Sequence, residues 1–317
     1  MLYALIKIYA RLAIKVCCRK IVVNKPAVLS QKGPLLLAAN HPNSFLDGMI
    51  MTTLFDEPVY SLARGDVFRK KWLNRLFRRM QLLPVYRTSE GVENLEHNYT
   101  TFASCLEVFK KNAVVLIFSE GRCENEWHLR PLKKGTARLA LMTWETGLPL
   151  QVIPVAFNYS SFRNFGKEVH IYFGEPVNAG MVRTEETEGR RLLAFNGALK
   201  TQLEQYVYEI APGEKDKRKK LFSIRRNKDF FLLLLPALAG WLSHAALFYP
   251  VKMFALFFRK SDHYDSVMAA MLLLLYPFYL VLAFLILFML APILSPLVVL
   301  FPFLARACVQ FKYQLDI

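Results

Sequence analysis

Short apolar runs punctuate the middle of the chain, at residues 21–23, Leu35–Ala39, 59–62, Val114–Phe118, 152–157 and 169–173. Each is dominated by Val, Ile, Leu, Phe or Ala, and most are bounded by Gly, Pro or charged residues. That is the pattern of buried β-strands. Between them lie stretches of helical periodicity, one following Pro42 and others over 92–110, 135–146 and 189–209. This alternation predicts an α/β domain over residues 21–212.

The ends of the chain follow different rules. Residues 1–16 are apolar apart from Lys7, Arg11 and Lys15, which recur every fourth residue and so share one helical face. This predicts an amphipathic membrane-interface helix over residues 1–20. It does not read as a signal peptide, since the charges run through the apolar stretch and no small-residue cleavage site follows. Residues 213–229 form a basic linker. From 230 to 317 the chain is apolar almost throughout, which predicts a C-terminal membrane region.

Within that region, 230–258 is long enough to span a bilayer but is interrupted by Pro236, His244, Pro250 and Lys252, so a kinked or re-entrant element is an alternative. Residues 266–290 are the better transmembrane candidate. The stretch 293–305 is too short for an ordinary span. Under the positive-inside rule the basic linker, and the α/β domain tethered to it, belong on the cytoplasmic side.

Composition sharpens the membrane reading. A formal charge of +16 accompanies 54% hydrophobic residues, and no acidic residue precedes Asp47. Apolar segments that insert, with basic ones meeting anionic head groups, account for both. Nucleic-acid binding is the other common meaning of such charge, but the basic clusters adjoin apolar segments and no nucleic-acid recognition signature is present. Arg69, Lys70, Lys71, Arg75, Arg78 and Arg79, interleaved with Trp72, Leu73, Leu76 and Phe77, read as a lipid-facing surface. The five cysteines are odd in number and lack paired spacing, which argues for a reduced compartment.

The clearest chemistry lies just after the run ending at Ala39, in Asn40-His41-Pro42-Asn43-Ser44-Phe45-Leu46-Asp47. A neutral imidazole accepts a proton near pH 7, and a carboxylate on its other nitrogen fixes the tautomer. Proline disfavours helical angles at the residue before it and suits a helix start, which places His41 at a strand-to-helix corner. A plain surface turn capped by Asn40 or Asn43 fits the same residues.

Further blocks follow in order: Ala63-Arg64-Gly65-Asp66 with Leu83-Pro84-Val85-Tyr86-Arg87, then Phe118-Ser119-Glu120-Gly121-Arg122, then Val152-Ile153-Pro154-Val155. Together with Asn40-His41 and Asp47 they resemble the glycerophospholipid acyltransferase family, the group of 1-acylglycerol-3-phosphate and glycerol-3-phosphate acyltransferases. Three departures stand out. Five residues separate His41 from Asp47 where most members have four, Ser119 replaces a proline, and Arg122 arrives one position early.

The resemblance implies an α/β fold with a central mixed sheet flanked by helices. It also implies transfer of a fatty acyl group from acyl-CoA or acyl carrier protein to a hydroxyl of glycerol-3-phosphate or lysophosphatidic acid. No cofactor is implied, the acyl donor being a substrate. His41 would be the general base and Asp47 its orienting partner, while Arg87 and Arg122 would hold the acceptor's phosphate. Glu120-Gly121 would shape the acceptor pocket, with Glu120 binding a glycerol hydroxyl or pairing with an arginine. Backbone amides of the helix after Pro42 are candidate oxyanion donors.

Other chemistries are weaker. Ser44 beside His41 lacks the elbow of a serine hydrolase. Glu124, Glu126 and His128 alternate but have no further ligand cluster to complete a metal site. Acylation of another lipid acceptor, or a catalytically silent lipid-binding scaffold, are the alternatives to a phospholipid-pathway enzyme.

Overall fold

The computed structural model of the chain describes residues 2–86, 96–182, 187–224 and 228–315. Seven strands form one sheet: β1 (Cys18–Val23), β2 (Leu35–Ala39), β3 (Val59–Arg64), β4 (Leu82–Val85), β5 (Val114–Phe118), β6 (Gln151–Tyr159) and β7 (Lys167–Phe173). Their spatial order is β1-β7-β6-β2-β5-β3-β4, and every pair is parallel except β6 with β7.

The sheet is therefore mixed. Its central strand, β2, is buried along its whole length. Helices cover both faces, which is why β2 and β5 read as continuous apolar runs rather than alternating ones. Strand parity divides the core. Leu36, Ala38, Val115 and Ile117 face α4 (Glu96–Lys110), α5 (Lys134–Glu145) and α6 (Glu188–Glu204). Leu35, Leu37, Ala39, Val114 and Leu116 face α1 (Leu2–Cys17) and α2 (Ser44–Leu54).

Some elements depart from the sequence expectation. The run around Pro84 is a strand, β4, which proline tolerates because β4 lies at the edge of the sheet. Residues 213–229 are more than a linker: they include α7 (Lys215–Leu221), followed by Phe222, fully buried against His170 and Tyr208. On α1, two of the three basic residues serve the protein itself. Lys7 Nζ donates to the carbonyls of Phe55 and Asp56, and Arg11 Nε to that of Thr53, so both act on carbonyls at the end of α2. Leu5, Ile8 and Leu12 point outward instead.

Among the described residues, three segments of the C-terminal region are long and apolar enough to cross a membrane: Phe230–Phe258, Tyr264–Leu290 and Pro292–Leu315. The third continues past Ala305 through helix, so it is longer than its proline-bracketed start suggests. Within these segments lie α8 (Leu234–Ala255), α9 (Tyr264–Leu290) and α10 (Phe301–Leu315). Gly240 lets α8 approach α10 closely, since any side chain there would run into the Leu304 carbonyl. Helix α9 docks on the α/β domain through its first two turns, where Asp265, Ser266 and Ala269 are buried, while Met268 packs with Val251 and Ala255 of the preceding apolar helix. Much of its remaining surface, from Leu274 to Leu290, is exposed and apolar.

Candidate active site

The parallel strands β2, β5 and β6 end side by side, and the segments leaving their carboxyl ends converge on one place, the usual position for a site in an open α/β sheet. From β2 come His41 and, one turn into α2, Asp47. From β5 come Ser119, Glu120, Gly121 and Arg122. The end of β6 supplies Tyr159.

His41 Nδ1 lies 2.9 Å from Asp47 Oδ2. The strand-to-helix corner thus brings the carboxylate back to the imidazole despite the five intervening residues. Asp47 is completely buried and receives two more hydrogens, from the backbone N–H of Asn43 to Oδ2 at 2.9 Å and from the Tyr159 hydroxyl to Oδ1 at 2.6 Å. A carboxylate held this way accepts from its neighbours, so the imidazole proton sits on Nδ1 and the Nε2 lone pair is left for chemistry. The Tyr159 hydroxyl is held well above its usual value, first by burial and then by the Asp47 charge, which keeps it a donor.

Two contacts fix the ring in place. The imidazole stacks on Phe118, with centroids 3.7 Å apart and planes 15° from parallel. The His41 backbone N–H donates to Glu120 Oε2 at 2.8 Å. The other oxygen of Glu120 accepts from the Arg130 backbone N–H at 3.0 Å.

Each oxygen of Glu120 accepts from one backbone amide, so the carboxylate ties the segment after β5 to the backbone of His41. Burial pushes its carboxyl up to about 7 against the opposing pull of those two amides, and the nearby Asp47 charge adds to the rise. Gly121 has φ +75°, and a methyl there would come within 3.0 Å of Lys133 Cγ. This is a position that glycine's left-handed freedom and lack of a side chain both suit.

Arg122 is exposed at the mouth of the same segment and pairs through Nε with Glu124 Oε1 at 2.8 Å. Glu124 also pairs with Arg130, which lies 3.6 Å from Glu126 as well. His128 meets Glu209 at 2.6 Å. Glu124 and Glu126 thus share Arg130 while His128 turns to Glu209, and among the described residues no group of three or more metal-ligating side chains comes together. Arg87 lies outside the described residues.

The amides at the start of α2 are already committed. Besides Asn43 to Asp47, Ser44 N–H donates to Cys123 Sγ at 3.0 Å, Phe45 N–H to Ser266 Oγ at 3.1 Å and Leu46 N–H to the Asn43 carbonyl at 3.0 Å. The sequence expectation that they form an oxyanion hole therefore does not fit this geometry. Asn40 is likewise structural: its side chain exchanges two hydrogen bonds with the Phe157 backbone and clamps the end of β2 to β6.

Tyr159 and Arg130 lie outside the motifs legible in the sequence, and Asn43 reads there only as a candidate helix cap. Tyr159 left a faint trace. It continues the alternating row Ile153, Val155 and Phe157, which the pleat places on the face toward α2.

Comparison with known proteins adds the following. Residues 20–158 match the family model described as Acyltransferase, a span that contains His41, Asp47, Glu120, Gly121 and Arg122 and stops one residue before Tyr159. Among solved structures, the chain is similar to the 1-acyl-sn-glycerophosphate (LPA) acyltransferase PlsC from Thermotoga maritima, at 15% identity and a TM-score of 0.46. That likeness covers 64% of this chain and 79% of the other. No curated protein matches the sequence.

Proposed function

We propose, because residues 20–158 match the acyltransferase family model, that the chain transfers a fatty acyl group from acyl-CoA or acyl carrier protein to a hydroxyl of glycerol-3-phosphate or lysophosphatidic acid. The observation that carries this reading is the His41–Asp47 pair, with Nδ1 committed to a buried carboxylate and Nε2 left as the acceptor of a proton.

A thioester is already activated, so the protein's main task is to deprotonate a hydroxyl and aim it. Nε2 takes the hydroxyl proton as the oxygen attacks the thioester carbonyl. The C–S bond then breaks, and the imidazolium returns the proton to the departing thiolate. No acyl-enzyme is needed, and Ser44 has no part in the step. Asp47 keeps the tautomer and stabilises the imidazolium between the two proton transfers.

Arg122, with Arg87, would meet the acceptor's phosphate, Arg122 exchanging Glu124 for phosphate oxygens. Lipid contact is supported from two sides of the protein. Helix α3 (Lys71–Arg79) has no buried residue and exposes Trp72 beside its arginines, and three apolar segments lie near the C-terminus. The charge of residues 213–229 supports membrane attachment with the catalytic domain on the cytoplasmic face.

The test uses the full chain purified in detergent, with labelled acyl-CoA or acyl carrier protein and each acceptor in turn. His41→Ala should abolish transfer while the protein still partitions to membranes, and Asp47→Asn should lower kcat about 100-fold or more. Undiminished turnover in His41→Ala would rule out the general-base role. Failure of every donor and acceptor pair would favour a lipid-binding scaffold.

A further inference from the structure

The catalytic corner is built partly by the C-terminal region, which lies outside the family match. Asn43 is the N-cap residue of α2, yet its side chain makes no capping bond. It is fully buried and turns away from the helix, donating from Nδ2 to Asp265 Oδ2 at 3.1 Å. Among the described residues the amide oxygen of Asn43 has no partner, so this is the one hydrogen bond its side chain makes.

Asp265 is itself buried and forms an ion pair with Lys167, which has no exposed side-chain surface. The Lys167 ammonium lies 5.9 Å from the ring centre of Tyr159, the residue that bonds Asp47. The neighbouring Ser266 accepts from Phe45 N–H and donates to the Asn43 carbonyl at 3.4 Å.

A buried ion pair is a poor source of net stability, because desolvation offsets the attraction. Here it presents a fixed carboxylate oxygen to one particular amide. The backbone of that same residue donates to Asp47.

We infer that Asp265, at the first turn of membrane helix α9, is a positioning residue: through Asn43 it fixes the turn that aims Asp47 at His41. The active site is thereby coupled to the membrane helix at its base. This rests on the reading of His41 as the general base, and it extends the catalytic assembly beyond residues 20–158.

The experiment compares three forms of the full chain in detergent: Asn43→Ala, the paired replacement of Lys167→Met with Asp265→Leu, and all three together. The paired replacement removes both charges at once and strands neither. Asn43→Ala leaves the ion pair whole and is the variant that decides.

The first readout needs no turnover. With 15N-labelled histidine and His41→Ala for assignment, solvent exchange of the His41 Nδ1 proton should quicken about 10-fold in Asn43→Ala, since loosening the turn weakens its hold on Asp47. Exchange unchanged in a folded Asn43→Ala protein overturns the inference. The second is kinetic. Asn43→Ala and the paired replacement should each lower kcat on the order of 10-fold with KM for donor and acceptor little changed, and the combination should be no worse than either, because all cut one link. Losses that multiply, or that fall in KM, overturn it. If wild-type protein turns over no substrate, the acyltransferase reading fails, while the exchange measurement still decides the role of Asp265.

Discussion

Tyr159 holds Asp47 by the oxygen that His41 does not use: its hydroxyl donates to Oδ1 at 2.6 Å, while His41 Nδ1 meets Oδ2. The strand pairing explains how this arises. β6 runs parallel to β2 and ends four residues beyond the register partner of Ala39, so its last side chain arrives beneath the turn that carries His41. Tyr159→Phe keeps the ring and deletes the donor, leaving a buried carboxylate oxygen unpaired. We expect a loss of about 1–3 kcal/mol in unfolding free energy and a several-fold fall in kcat with KM unchanged. Denaturant unfolding and steady-state kinetics on the same preparation check both. A variant with wild-type kcat would show that Tyr159 only packs.

Arg122 tests the acceptor assignment. It is exposed and shares Glu124 with Arg130, so removing it strands no buried charge and should leave folding intact. Arg122→Ala is expected to raise the acceptor's KM about 10-fold, the worth of a charge-assisted bond to phosphate, with kcat and the donor's KM little affected. Equal KM values for a phosphorylated acceptor in variant and wild type would remove Arg122 from the phosphate site.

The sequence showed what was local. His41 and Asp47 are six positions apart on a strand-to-helix corner, and the apolar runs of β2 and β5 match their strands to the residue. Long-range partnerships were not legible. Glu120 spends its two oxygens on the backbone amides of His41, 79 positions away, and Arg130, and an amide donor leaves no trace in residue type. Asp265 sits 222 positions from Asn43, at the start of an apolar stretch. β4 was hidden by Pro84, a strand breaker except at an edge. The lysines of α1 looked lipid-facing by periodicity alone, yet the ends of neighbouring helices need cations too, and Lys7 is used there.

Gly121 gives a stability prediction without chemistry. Its φ of +75° is left-handed, and a methyl would press on Lys133 Cγ at 3.0 Å. Gly121→Ala should cost about 1–2 kcal/mol from backbone strain alone. It should also move the Lys133 side chain at the N-cap of α5. The apparent Tm in detergent should fall by roughly 2–4 °C per kcal/mol lost. An unchanged Tm would mean that the segment after β5 relaxes freely.

Glu120 makes the protein's stability depend on pH in a definite direction. Its carboxyl sits at about 7 in the folded protein against a usual 4.5, because burial outweighs the two amide bonds. Between those values the folded chain holds a proton that the unfolded chain has released. The contribution of Glu120 to stability is therefore largest at the acid side of this window and declines as pH rises through it, by up to roughly 3 kcal/mol. Glu120→Gln cannot ionise, and its amide nitrogen cannot accept from either backbone N–H. It should lose one of the two tethers outright, giving lower stability at pH 5, and should lack the decline between 4.5 and 7 that wild type shows. The difference between the two unfolding curves, measured at several pH values in one detergent, isolates Glu120 from every other titrating group. Parallel curves would mean that the carboxyl ionises in the folded protein as it does in the open chain, and that its hold on the His41 amide is indifferent to pH.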